Sequence, residues 1–242
     1  MKNKINQLLI FLLILVCCSC ASSKKTNYFQ DIDRERITEE LIENYQPITI
    51  QTSDILSINV TSLNPQAWSD TSNRDLGYLV DQKGEIVLPL VGSVKAAGLT
   101  STALSEQLRE RLLPYLKEPS VVVRILNFKV SVMGDVMKPA TYSIASERIT
   151  VNEAISMAGD LNITGMRKHV MLIREVDGTR SFIPLDLTAS NFIRSPYFYL
   201  RNNDVLYVQP GKNKYAASTD GVYRSLSLAL SALSIVAIII TR

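Results

Sequence analysis

Apolar positions along the chain fall into three patterns. An unbroken apolar run extends from Leu8 to Val16, and a second, residues 225–241, reads SLSLALSALSIVAIIIT without a charge. Between them the apolar residues are periodic, as in a folded region. Leu56, Ile58 and Val60 alternate with polar residues, the period of a half-buried strand. Tyr78 to Val80 and Glu85 to Leu88 flank the turn sequence DQKG, which predicts a hairpin. Leu104, Leu108, Leu112 and Leu116 lie four apart and predict one face of a helix over 100–117. Thr100 is placed to cap its start, and Pro114 disturbs its last turn. The continuous apolar run from Val121 to Leu126 predicts a strand buried on both faces.

A second set begins near Lys129. Val130 to Met133 predicts a short strand, and GDVMKPA (134–140) a turn. Thr150-Val-Asn-Glu153 has the spacing of a capping box, opening a short helix with Val151, Ala154, Ile155 and Ala158 inward. Gly159 is suited to close that helix in the left-handed conformation. Val170 to Arg174 and Ser181 to Leu187 flank another turn, Asp177-Gly178, and Tyr197 to Leu200 and Val205 to Gln209 complete the strands. The order strand–turn–strand–helix–strand recurs in both sets, and Asp54-Ile-Leu is echoed by Asp204-Val-Leu. The pattern predicts an α+β protein of two modules, at 45–127 and 128–210.

The ends read differently. In MKNKINQLLIFLLILVCCSC, Lys2 and Lys4 precede an apolar core too short to span a bilayer, the layout of a secretory signal over residues 1–19. The end of this segment resembles a bacterial lipobox. Cys20 follows the small Ser19 and fits as the lipidated residue; Cys18 and Cys17 fit less well. Membrane lipid is thus an expected partner, and residues 20–44 become a lipid-anchored arm beginning as a polar tether, ASSKKTN. After a linker over 211–224, residues 225–241 predict a transmembrane helix of about 25 Å, near the lower limit for a span. At 100° per residue Ser227, Ser231, Ser234 and Thr241 share one face. Such a stripe suits either an aqueous lumen lined by several copies or small-residue helix contacts in a simple anchor.

Composition narrows the chemistry. The three cysteines all lie at the N-terminus, so the folded region has no disulfide, thiolate metal site or cysteine nucleophile. His169, the single histidine, cannot build a multi-histidine zinc site, and it lacks a sequence partner to orient it. Without Lys2 and Lys4 the chain carries 24 basic and 23 acidic residues with no basic stripe, which argues against nucleic acid as a partner. Asp31, Asp33, Glu35, Glu39, Glu40 and Glu43 are interleaved with Arg34 and Arg36 and read as a solvated helix or arm rather than as paired glycosidase carboxylates. Trp68 lies in a polar stretch with Asp70 and Asn73, placed either to stack on a sugar ring or to anchor packing. Tyr197, Tyr199 and Tyr207 read as strand core or oligomer contacts. No phosphate loop, nucleophile elbow or zinc signature is present. The reading is of a protein that is not an enzyme, with no cofactor and no catalytic or metal residue to assign.

Several phrases resemble the Wza-like polysaccharide export family of outer-membrane lipoproteins. TSDILSINV (52–60) and YLVDQKGEIVLPLVGSVKAAGLT (78–100) are similar to the opening strand and central hairpin of its polysaccharide export domain. VSVMGDVMKPATY (130–142) and ITVNEAISMAGDLN (149–162) resemble a soluble-ligand-binding β-grasp (SLBB) domain, with Ala140 and Asp160 where the family phrase has glycine. The resemblance implies a polysaccharide export domain, one β-grasp-like SLBB domain and a C-terminal membrane helix. It also implies outer-membrane location with the domains in the periplasm. Implied partners are further copies in a homo-oligomer, the polysaccharide threaded through their lumen, and an inner-membrane polysaccharide co-polymerase. A non-transporting glycan-binding scaffold is the alternative.

Overall fold

In the computed structural model, which describes residues 27–64, 77–176, 178–212, 214, 225–232 and 234, each predicted module closes over its own apolar core. The first is built on an antiparallel sheet of order β2–β1–β5, comprising β1 (Ile55–Thr61), β2 (Tyr78–Leu79) and β5 (Ser120–Ile125). Leu56 and Val60 of β1 face inward, as their alternation requires, onto Leu104, Leu108 and Leu112 of α1 (Ser101–Leu112). Thr100 caps α1 by accepting from the Ala103 N–H at 3.1 Å. The helix stops at Leu112, short of the predicted 117: Leu113 keeps helical φ and ψ, but Pro114 has no N–H to donate and its ring crowds the preceding turn. Leu116 is still buried, held by a bond from its N–H to Leu112 O.

Two expectations for this module are corrected. The DQKG turn forms, with Asp81 Oδ1 accepting from the N–H groups of Lys83 and Glu85, but the strands around it do not pair with each other. β2 joins β1, whereas β3 (Glu85–Leu88) makes a separate hairpin with β4 (Gly92–Lys95). The run at 121–126 is not buried on both faces. β5 is an edge strand in which Val121 and Val123 are buried while Val122 and Arg124 are exposed, since among the described residues only one face of this sheet carries a helix.

The second module is a five-stranded mixed sheet of order β7–β6–β10–β8–β9, from β6 (Lys129–Gly134), β7 (Ala140–Ser143), β8 (Gly165–Val176), β9 (Thr179–Leu185) and β10 (Val205–Pro210). β6 and β10 lie parallel and the other pairs antiparallel, and α2 (Val151–Met157) contributes Val151, Ala154 and Ile155 to the core. The capping box is complete: Thr150 Oγ1 accepts from the Glu153 N–H, and Glu153 accepts from the Thr150 N–H. Gly159 ends the helix at φ 76°. The element order hairpin–helix–strand recurs in both modules, but the pairing does not. β3–β4 stands apart from the first sheet, whereas β6–β7 is part of the second.

Tyr197–Leu200 is not a strand. It follows a 3₁₀ turn (Ser190–Arg194), and its backbone serves the start of α2, with Val151 N–H donating to Phe198 O and Leu200 N–H to Ile149 O. Residues 27–45 form a solvated arm rather than a helix, and residues 31–43 are exposed. They run across the second module, with Gln30 N–H donating to Thr188 O, Phe29 stacked on Phe192 at 5.8 Å, and Tyr45 edge-on to Tyr199 at 5.2 Å. Asp31 accepts from the N–H and hydroxyl of Ser190, Glu40 pairs with Arg194, and Asn44 Nδ2 donates to the carbonyls of Ile193 and Ser195.

Candidate functional site

The echoed phrases at Asp54 and Asp204 turn out to be the same device. Each aspartate ends a four-residue turn, Gln51–Asp54 or Arg201–Asp204, whose third residue has positive φ (Ser53, 71°; Asn203, 65°). In each, the aspartate N–H donates to the carbonyl of the first residue, and a carboxylate oxygen takes that residue's N–H. The turns launch β1 and β10, and they meet: Asn202 Nδ2 donates to Asp54 Oδ1 at 2.6 Å, while Asn202 Oδ1 accepts from Lys129 N–H. Asn127 reinforces this joint by accepting from Ile55 N–H and donating to Ser53 O. Ile125 packs against both cores. Burial raises the Asp54 carboxyl above its ordinary range, with the Gln51 and Asn202 donors opposing.

Beside the joint opens a cleft of about 860 Å³ between the modules. Its floor is apolar, from Ile48, Ile125 and Phe128, and its rim carries hydroxyls of the α1 start and β7 end together with Arg124, Glu147 and Tyr45. An apolar floor under a rim of hydroxyl, guanidinium and phenol groups matches the two aspects of a sugar ring, its C–H face and its hydroxyl edge. Among the described residues no group of three or more His, Cys, Asp or Glu side chains is arranged to hold a metal ion.

Two further polar clusters fix the chain around the second module. Arg174 forks onto Asp204, Nη2 to Oδ2 at 2.6 Å and Nε to Oδ1 at 3.0 Å, with both side chains buried. Burial nevertheless raises the Asp204 carboxyl, outweighing Arg174. At the opposite end of the sheet Asp135 is wholly buried and accepts from Asn162 Nδ2, Thr164 Oγ1 and Lys214 Nζ. Burial pushes this carboxyl up, but the three donors together hold it below the usual range. Nearby, the Tyr28 hydroxyl donates to Asp160, and the buried Arg167 guanidinium sits 5.0 Å from the Tyr28 ring centre.

Residues 43–126 match the family model for polysaccharide biosynthesis/export proteins, and residues 128–208 match that for the SLBB domain. The chain belongs to the Wza-like polysaccharide export family. Curated relatives of this Wza-like chain include the EPS I polysaccharide export outer membrane protein EpsA of Ralstonia solanacearum, 27% identical over 213 residues. A second is the protein of the same name from Ralstonia nicotianae, 29% identical over 203 residues. The matches cover 80% and 76% of this chain, which spans only 56% and 53% of the length of those relatives.

The structure places the predicted site residues of this family member unevenly. Cys20, Trp68 and Thr241 lie outside the described residues. Residues 225–232 and 234 are helical and exposed, and the Ser231 and Ser234 hydroxyls bond back to the carbonyls of Ser227 and Ser231. Among the described residues no helix is long and apolar enough to cross a membrane, and residues 233 and 235–241 of the predicted span lie outside them. His169 is exposed on β8. Tyr207 lies on β10, and Tyr199 and Tyr197 pack on the arm and over Arg174. The Asp54–Asn202 joint and the Asp135 cluster were not legible in advance. Only the repeated Asp-Ile-Leu and Asp-Val-Leu phrases hinted at the first.

Proposed function

We propose that this chain is a lipid-anchored outer-membrane component of polysaccharide export, with its two modules in the periplasm. Copies of it assemble into a conduit, or into the periplasmic part of one, for capsular or extracellular polysaccharide. The observation that carries this reading is the paired export and SLBB modules, hydrogen-bonded to one another and flanking a cleft built for sugar-like surfaces. The relatives are named as polysaccharide export outer membrane proteins, which supports the same cargo and compartment. Cys20 carries the lipid, and the role is to bind and guide the polymer without chemistry on it. An inner-membrane co-polymerase is the expected periplasmic partner. A conduit works by weak repeated contacts, and an open cleft with a hydroxyl rim supplies those better than a closed pocket does.

Deleting the gene is expected to trap polymer in the periplasm, and surface polymer at the parental level would overturn the reading. The full-length lipoprotein extracted in mild detergent is expected to run as a closed ring of several copies. The serine hydroxyls at 231 and 234, turned onto their own helix, favour a second reading for the C-terminus, a plain anchor rather than a lumen wall. A monomer binding a defined oligosaccharide would move the whole chain to the scaffold alternative.

A further inference from the structure

β6 and β10 run parallel away from the joint with the first module, and β8 returns antiparallel, so the second module has two distinct ends. One holds Asn202 and Asp204 against the first module. The other, about 20 Å further along six-residue strands, is formed by loops 135–139 and 158–164, the end of α2, and by Gly211, Lys212 and Lys214. Asp135 stitches these loops together: its carboxylate takes Asn162, Thr164 and Lys214, and its carbonyl takes the Asn162 N–H. Met137 N–H donates to Asp160 O, and Gly211 N–H to Thr164 O.

This far end exposes three large apolar side chains that nothing in the fold requires to be outside: Ile163 (85% exposed), Met137 (62%) and Met157 (43%). Around them stand the exposed Lys138, Lys212 and Lys214, and the nearest exposed carboxylate, Asp160, is occupied by the Tyr28 hydroxyl and the Leu161 N–H. Tyr28 and Lys214 bring the two flanking segments here. Tyr28 is fastened to Asp160, and only six residues lie between Asn27 and Cys20, a reach of at most about 25 Å for an extended chain. Lys214 is fastened to Asp135, eleven residues before the apolar run that starts at Ser225.

We propose that this end of the second module is a membrane-docking surface, with Ile163, Met137 and Met157 entering the headgroup region of the bilayer and Lys138 and Lys212 meeting lipid phosphates. The proposal rests on the lipid anchor at Cys20 assigned above. Apolar tips framed by lysines are the composition of an interfacial contact, and a short tether from a lipidated residue to the same end holds that surface at the bilayer. The first module then points away from the membrane.

The test uses the full-length lipoprotein reconstituted into vesicles of phosphatidylethanolamine and phosphatidylglycerol with doxyl-labelled lipid. An environment-sensitive fluorophore is placed on Ile163→Cys or, as control, on Val87→Cys, another largely exposed position, on β3 in the first module (70% exposed). The label on Ile163→Cys is expected to lose most of its emission to the lipid quencher, and the label on Val87→Cys to keep it. Float-up of the vesicles reports the anchor separately. Protein that floats while neither label, or both, is quenched overturns the docking surface and leaves the anchor standing. Protein that fails to float overturns the anchor and the docking surface with it. A blue shift on Ile163→Cys without quenching identifies a protein occupant and also overturns the proposal.

Discussion

Asp54 and Asp204 occupy the same corner of the same turn, yet the two modules use them differently. Asp204 is neutralised inside its own module by a forked, buried arginine, whereas Asp54 meets only the neutral amide of Asn202, which belongs to the other module. The difference extends outward. The second module packs the described segments on either side of the modules onto itself, through Tyr28, Asp31, Asn44 and Lys214, while among the described residues the first leaves one face of its three-stranded sheet uncovered, with Leu79, Val122 and Leu126 exposed. One turn motif therefore serves as a core clamp in one place and as an intermodule latch in the other. What separates the roles is the partner that tertiary structure brings to it.

The largest test of that contrast is to remove each carboxylate. Asp204→Ala strands a buried guanidinium and is expected to cost roughly 3–5 kcal/mol, melting the second module in denaturant titrations. Asp54→Ala leaves only an amide and one backbone N–H unpaired, an expected loss of about 1–3 kcal/mol. Equal losses would erase the distinction between clamp and latch.

Asn202→Asp sharpens the latch itself. It sets a second carboxylate against Asp54, so one of the pair must hold a proton to stay in contact. Its shared pKa is raised by the fold, so its stabilising contribution is complete at low pH and lost as pH rises through that value. Calorimetry is expected to show the two modules unfolding separately at neutral pH and together on acidification, with the parent chain showing no such splitting.

The terminal clamp behaves in the opposite sense. The Asp135 carboxyl is held below the ordinary range in the folded chain. Its contribution is therefore whole above the ordinary carboxylate pKa and lost as pH falls through the lowered value. Lys214→Ala is expected to cost about 1 kcal/mol, because the lysine is partly exposed to solvent, and to flatten the acid limb of the stability–pH curve. An unchanged acid limb would mean that Lys214 does not hold the C-terminal segment in place.

The smallest contrast is between helix caps. Thr100→Ala and Thr150→Ala should each cost about 1 kcal/mol. The loss at Thr150 should be the larger, because its hydroxyl also donates to Glu153. Thermal denaturation of the two variants side by side measures the order.

Much of this architecture could be read from local pattern. Thr100, the Thr150–Glu153 box, the Leu104–Leu108–Leu112 stripe and the inward positions of α2 were all legible, because capping and helix periodicity involve residues within a turn or two of each other. The misreadings share a cause. The DQKG turn is legible, yet its flanking strands do not pair, because β1 takes β2 from some twenty residues upstream and the nearby β4 takes β3 into a hairpin of its own. The apolar run at 121–126 reads as doubly buried because sequence does not show that, among the described residues, its sheet has a helix on one side only. Asp160 stood out only as a departure from glycine. At φ 73° it still accepts the left-handed geometry, and it supplies the carboxylate that fastens Tyr28.

The sequence by itself determined two α+β modules, the apolar terminal runs, and the local devices that start and stop each helix. Those follow from hydrophobic period and from hydrogen bonds between near neighbours. Only the tertiary structure decided that the two aspartate turns meet, that the N-terminal arm straps the second module, and that Tyr28 and Lys214 are fastened at its far end. Each of these joins residues about 80 to 150 positions apart. Loop-closure entropy opposes such contacts until two cores have formed to offset it, so no local pattern announces them.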